Sequence, residues 1–237
     1  MNCPNCNREL SFHNMACESC GQDLKIYRKI ASASNSFYND GLKKAKIRDL
    51  SGAVISLRKS LKLNKKNTDA RNLLGLVYYE MGEVVYALSE WLISKKFQSE
   101  ENIADKYIAE IQKNPSRLET ASQTIKKYNN ALAHAKQGNG ELAVMQLEKV
   151  VTLNPKFIRS YQLLALLYMQ QGQYKKASKY LSKAKKIDIN NTLTTYYIEQ
   201  LPQKQTEVVA EKKEEADLKT NKVFQSGMDV PGLCHLQ

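Results

Sequence analysis

The stretch "RNLLGLVYYEMGEVVYALSEW" (71–91) contains two apolar runs of helical spacing separated by Gly82. An apolar stripe that recurs at three- and four-residue intervals, stops at a glycine and then resumes reads as two helices joined by a tight turn. Its marker positions are Leu74-Gly75, Tyr78, Gly82, Ala87 and Trp91, and part of the set recurs upstream. Gly41, Ala53 and Leu57 precede Gly75, Ala87 and Trp91 by one constant interval. Downstream, "NNALAHAKQGNGELAVMQLEKVVTLNP" carries Ala131, Gly138, Ala143, Leu147 and Pro155. "YQLLALLYMQQGQYKKASKYLSKAKKI" then carries Leu164-Ala165, Tyr168, Gly172, Ala177, Leu181 and Ala184, and the steps Gly138 to Gly172 and Ala143 to Ala177 repeat the same interval.

That interval, about 34 residues, resembles the tetratricopeptide repeat, a helix-turn-helix unit. Small residues at the Gly/Ala positions let paired helices approach, and Tyr78, Tyr168, Leu57, Trp91, Leu147 and Leu181 are expected to fill the space between them. Gly82, Gly138 and Gly172 are placed where each first helix ends, and Pro155 opens the turn into the next repeat. A helix pair leaves one face uncovered, so neighbouring repeats stack into a superhelix, here an all-α, right-handed α-solenoid. The register breaks once, because the step from Ala87 to Ala143 overshoots one period by more than half a period. The expected array fills 30–201: repeats at about 34–67, 68–101, 124–157 and 158–191, a helical insertion at 102–123, and a closing helix at 192–201. Within the break a helix is predicted over 102–113 and a long one from about 117 to 137. Residues 202–237 are charged and weakly apolar, which reads as a disordered tail.

At the front, Cys3, Cys6, Cys17 and Cys20 read C-x2-C-x10-C-x2-C. Two such knuckles suit a tetrahedral Zn2+ ion, with ligand sulfurs about 2.3 Å from the metal. Gly21 follows the second pair and Asn7 the first, both residues that tolerate positive φ. A redox Cys-x-x-Cys stands beside a βαβ pattern, which is missing here, and a disulfide pairing suits secreted chains with a signal peptide. Four thiolates close the coordination shell, so the zinc is expected to be structural and to supply the folding energy of residues 1–24. His13 is read as a bystander. The absence of a signal sequence and of a long apolar run points to a cytoplasmic protein with no membrane span.

The net charge of +12 is uneven. Residues 28–68 carry eleven Lys/Arg against two Asp/Glu, and residues 114–191 thirteen against four, while 69–113 are net acidic. Such blocks attract acidic proteins, nucleic acid or anionic surfaces. No His-Glu-x-x-His, phosphate-cradling glycine loop or Gly-x-Ser-x-Gly is present. The chain therefore reads as non-enzymatic. In a tetratricopeptide superhelix the first helices line the concave face, which here holds Tyr38, Asn72, Tyr128 and Gln162 at repeat position 5. Position 9 holds Leu42, Leu76, Leu132 and Leu166, and position 12 includes Tyr79 and Met169. Relatives that clamp acidic chaperone tails carry Lys at position 5 and Asn at position 9, and this chain has neither. A leucine ladder flanked by Tyr and Met suits an amphipathic helix or an apolar peptide.

Ribbon plus repeats, over roughly the first 200 residues, resembles a bacterial zinc-ribbon tetratricopeptide family. The resemblance implies a protein–protein interaction adaptor, with the ribbon as a structural or auxiliary recognition module. The alternative is a nucleic-acid-associated protein using basic repeat surfaces and the ribbon. Longer members of that family continue into a membrane-spanning helix. This chain ends before one, which reads as a soluble variant or a truncated product, membrane-associated if the native protein extends further.

Overall fold

The structure, a computed structural model, describes residues 3–10 and 15–201. The helices are α1 (Lys25–Lys46), α2 (Leu50–Leu63), α3 (Thr68–Glu80), α4 (Val84–Phe97), α5 (Ala104–Gln112), α6 (Ser116–Lys136), α7 (Gly140–Leu153), α8 (Ile158–Gln170) and α9 (Tyr174–Ile187). A tenth, α10, runs over 192–201. Among the described residues β structure is confined to isolated bridges such as Ala16–Asp23, so the fold is all-α and of the tetratricopeptide kind. The expected tail, 202–237, lies outside the described residues, as does His13.

Helices pair as α1/α2, α3/α4, α6/α7 and α8/α9. A Cβ added to Gly41 would sit 2.7 Å from Leu57 Cγ, and one on Gly75 2.3 Å from Trp91 Nε1. The missing methyl is what lets the larger partner reach the axis of the pair, and Leu57, Trp91, Leu147 and Leu181 are each fully buried there. Burial of one such side chain stabilises by about 2–3 kcal/mol. The Trp91 indole N–H donates to the Asn72 carbonyl at 3.0 Å, so the large ring carries no unsatisfied donor. Gly82, Gly138 and Gly172 take φ of +77°, +83° and +70° and end the first helices.

The register break has a structural explanation. Ala104, Ile108 and Ile111 of α5 stand one repeat period after Ala70, Leu74 and Val77 and complete the same core. What reads as an insertion occupies the place of a third repeat's first helix, without a second helix after it. In the other half, Leu201 and Ile198 of α10 stand one period after Leu167 and Leu164 and close that core. The described residues thus form two five-helix units, α1–α5 and α6–α10, in register at a constant offset, so that Ala87 answers to Ala177 and Ile111 to Leu201. Each unit opens with polar residues where later repeats are apolar. Leu74 and Leu164 correspond to Asp40 and Asn130, and Tyr78 and Tyr168 to Lys44 and His134. No earlier repeat covers those positions, and Asp40 instead holds the Lys44 ammonium at 2.7 Å and accepts from the Ser56 hydroxyl.

The units dock through their turns. Asp188, fully buried, accepts from the backbone N–H of Leu50 (2.9 Å) and Ser51 (3.1 Å) at the start of α2. Arg48 occupies the slot that glycine fills at 82, 138 and 172, with φ +61°. Its carbonyl accepts from Ile189 N–H, and its Nε donates to the Ile187 carbonyl. Asn154 Nδ2 donates to the Gly82 carbonyl, Lys156 pairs with Glu80 at 2.8 Å, and Arg159 pairs with Glu83 at 2.9 Å. Met81 packs among Ile158, Tyr161 and Ala184.

Two expectations follow from this docking. A methyl at Gly82 would fall 2.7 Å from the Phe157 backbone nitrogen, whereas nothing lies within 4 Å at Gly138 or Gly172. All three substitutions to Ala carry the positive-φ penalty of about 1 kcal/mol. Gly82→Ala should therefore lower the thermal midpoint clearly more than Gly172→Ala, and equal losses would mean the units are not held this way. Burial pushes the Glu83 carboxyl up, and Arg159 partly offsets it. A carboxyl raised in the folded state favours folding below its unfolded pKa and loses that contribution as pH rises through the folded one. Arg159→Ala, which leaves Glu83 near-buried without its counterion, should cost about 1 kcal/mol at neutral pH for this half-exposed pair. The cost should shrink as the pH falls through the carboxylate range and Glu83 becomes neutral, which urea titrations at two pH values will show.

Candidate functional site

The four cysteines converge at the N-terminus. Their Sγ atoms all lie within 4.8 Å of one another, with Cys3–Cys20 and Cys6–Cys17 each at 3.6 Å. A tetrahedron with metal–sulfur distances of about 2.3 Å has edges of about 3.8 Å, so the donor set fits one ion. Two equivalent knuckles create it. Asn7 N–H bonds to the Cys3 carbonyl and Cys3 N–H to the Arg8 carbonyl, while Gly21 N–H bonds to the Cys17 carbonyl and Cys17 N–H to the Gln22 carbonyl. Asn7 and Gly21 take φ of +57° and +71° to turn each knuckle. Leu24 is fully buried against Cys3 and Cys17, and the Asp23 carboxylate, just before it, accepts from the Lys25 N–H at the start of α1.

The environment shifts two of the thiols in opposite directions. The Cys6 backbone N–H draws the Cys3 thiol down to about 6. The Arg8 backbone N–H also favours Cys6 thiolate, but desolvation and hydrogen bonding with the Cys20, Cys17 and Cys3 thiols outweigh it and push Cys6 up to about 11.

The concave positions divide into two kinds. Leu42, Leu76, Leu132 and Leu166 are half-buried in every repeat, as are Tyr38, Tyr79 and Tyr128. Asn72, Gln162 and Met169 are buried. Asn72 Nδ2 donates to Asn102 Oδ1 at 2.9 Å, and Gln162 Nε2 donates to Asn191 Oδ1 and Thr194 Oγ1 at 2.8 and 3.0 Å. These amides therefore lock α5 and α10 onto their units. Tyr38 is pushed up by burial and by the charge of Asp69, and Tyr128 by burial, so both phenols stay neutral. Tyr79 faces a cleft of about 360 Å³ between the units, where Lys156 Nζ lies 5.5 Å from its ring and Arg117 Nη1 donates to its hydroxyl. Sequence reasoning missed the docking residues Arg48 and Asp188. The available signal for Arg48 was a bulky residue standing in a glycine slot.

Comparison with known proteins follows this geometry. Residues 134–191 match the tetratricopeptide repeat family model. Comparison with curated proteins returns no match. Among solved structures the chain is similar to pilF of Pseudomonas aeruginosa at 19% identity, covering 78% of this chain and 74% of that one, with a TM-score of 0.32. It is also similar to MamA (residues 41 to the end) of Desulfovibrio magneticus at 17% identity, 84% and 98% coverage and a TM-score of 0.31. YrrB, described as a TPR protein with an unusual peptide-binding site, shows 16% identity, 74% and 96% coverage and a TM-score of 0.32. No helix among the described residues is long and apolar enough to cross a membrane.

Cobalt(II) is a spectroscopic probe for the cysteine cluster. One equivalent should produce thiolate-to-metal charge-transfer bands and tetrahedral d–d bands, and Cys17→Ser should weaken binding by at least tenfold. Saturation at a different stoichiometry, or octahedral bands, would refute a four-sulfur centre.

Proposed function

We propose that this chain is a non-enzymatic protein-interaction scaffold: two short helical units that bind a peptide or helix of a partner protein, headed by a structural Zn2+ ribbon. The observation that carries the proposal is the position-9 ladder. Leu42, Leu76, Leu132 and Leu166 are only partly buried in all four repeats, as are Tyr38, Tyr79 and Tyr128 on the same face. An apolar row on the first-helix face offers purchase to an amphipathic segment. Zinc is favoured for the ribbon by its all-sulfur donor set and tetrahedral spacing. With the shell closed, its contribution is folding energy for a segment too short to bury a core.

Affinity capture from the native cell tests the reading. The wild type should retain a protein that the Leu42→Glu/Leu76→Glu and Leu132→Glu/Leu166→Glu variants lose. If all three proteins capture the same material, the ladder is packing alone. A parallel Cys3→Ser/Cys6→Ser variant reports whether the ribbon selects the partner.

One observation favours the second reading, nucleic-acid association. At 3.6 residues per turn, Lys175, Lys176, Lys179, Lys183 and Lys186 share one side of α9. Among the described residues none of the five makes an ion pair. Phosphate binding there should weaken steeply with salt. Lys179→Gln/Lys183→Gln should flatten the slope of log K against log salt by about 0.7–0.9 per lost contact. A slope the variant leaves unchanged removes this reading.

A further inference from the structure

The internal duplication supplies a control for every surface position, and one helix departs from its counterpart. The outward side of α4 carries Val85, Tyr86, Leu92, Ile93 and Phe97, of which Val85, Tyr86 and Leu92 are 52%, 49% and 58% exposed. In α9, its counterpart in the second unit, the equivalents of the first four are Lys175, Lys176, Ser182 and Lys183, all exposed. Both helices bury the same inward positions: Ala87 and Trp91 correspond to Ala177 and Leu181, all buried. The fold therefore asks nothing apolar of those four outward positions, yet α4 carries apolar residues on its outward side as well as its inward one. A helix of that kind is normally covered by something.

The pattern describes the cover. Val85 and Leu92, and Tyr86 and Ile93, are spaced i,i+7, with the small Ser89 between the two pairs and Phe97 four positions after Ile93. The ridge is about 18 Å long, three helical turns, which matches one short helix laid along it. Cations stand at both ends of it. Arg58 lies over the Tyr78 ring, which meets Tyr86 at the start of α4, and Lys95 and Lys96 stand at its end, while the carboxylate of α4, Glu90, is already paired with Arg71 at 2.8 Å. Of these cations Lys95 is held by Asp105. A second copy of this chain would set these cations, and a net charge of +12, against themselves.

We propose that the outer face of α4 is a docking site for an amphipathic helix whose apolar stripe is flanked by acidic residues. It lies on the second-helix side of the unit, separate from the leucine ladder, and does not depend on it.

The duplication also provides the variant. Leu92→Ser/Ile93→Lys gives α4 the residues that α9 already carries, so the fold should tolerate it and thermal melting will verify that. The probes are an 18-residue peptide with leucines at i, i+3, i+4 and i+7 and glutamates elsewhere, the same peptide with lysines for glutamates, and vesicles containing anionic lipid. Full-length protein should bind the glutamate peptide with micromolar affinity and the lysine peptide at least tenfold more weakly. The variant should lose at least tenfold towards the glutamate peptide. No binding of the glutamate peptide at 100 μM would overturn the proposal, as would equal binding of both peptides or a variant that binds like the wild type. Partition onto vesicles without peptide binding would assign the face to a membrane surface. A dimer that the variant abolishes would assign it to a second copy.

Discussion

The carboxylate of Asp188 reaches across 138 residues of chain to hold the first two backbone amides of α2. Unserved amides at a helix start and a buried carboxylate each carry a desolvation cost, and this contact removes both at once. The neighbouring contacts depend on it. Arg48 can hold its left-handed conformation because its carbonyl and guanidinium are engaged by the same turn, and Met81 finds an apolar seat only once that turn is in place. Without the contact, the two five-helix units would still meet through Asn154 with Gly82, Lys156 with Glu80 and Arg159 with Glu83, but the start of α2 would lose its acceptor.

Each unit also stops itself from growing. Polar residues on the opening helices, Asp40 and Lys44 in one unit and Asn130 and His134 in the other, make the leading faces poor seats for a preceding repeat. At the trailing ends α5 and α10 complete the core and are pinned by amide bonds from Asn72 and Gln162. A solenoid with both ends sealed twice is a pair of short modules, and its register break is the seam between them.

The helical pairs could be read from residues because their packing is local. Gly75 with Trp91, or Gly41 with Leu57, encodes a contact inside a single repeat, and the turn glycines mark where direction reverses. The four cysteines were equally plain, since their spacing alone implies convergence. The docking of the units was hidden. Asp188 sits at the C-cap of α9, where Asn64, Gln98 and Asn154 sit on the other second helices, and nothing nearby distinguishes it. The duplication of the five-helix unit was obscured because outward residues diverge freely while inward ones repeat, so the same similarity also looks like the shorter period of a single repeat. Asn72 and Gln162 illustrate the limit: a polar residue on a first helix looks groove-facing until the helix that caps it is seen.

The ribbon is joined to the remainder of the molecule by one helix. Residues 25–33 of α1 extend beyond Ser34, whose hydroxyl meets Ser60 near the end of α2, and they are mostly exposed. At 1.5 Å per residue this overhang holds the cysteine cluster about 13 Å clear of the stack. Among the described residues the cysteine cluster packs with Leu10 and Leu24 and shares little with the repeat array beyond the backbone of α1. A loosening of the head therefore need not be transmitted to the array, and the rod's length sets how far from the stack the four thiols stand.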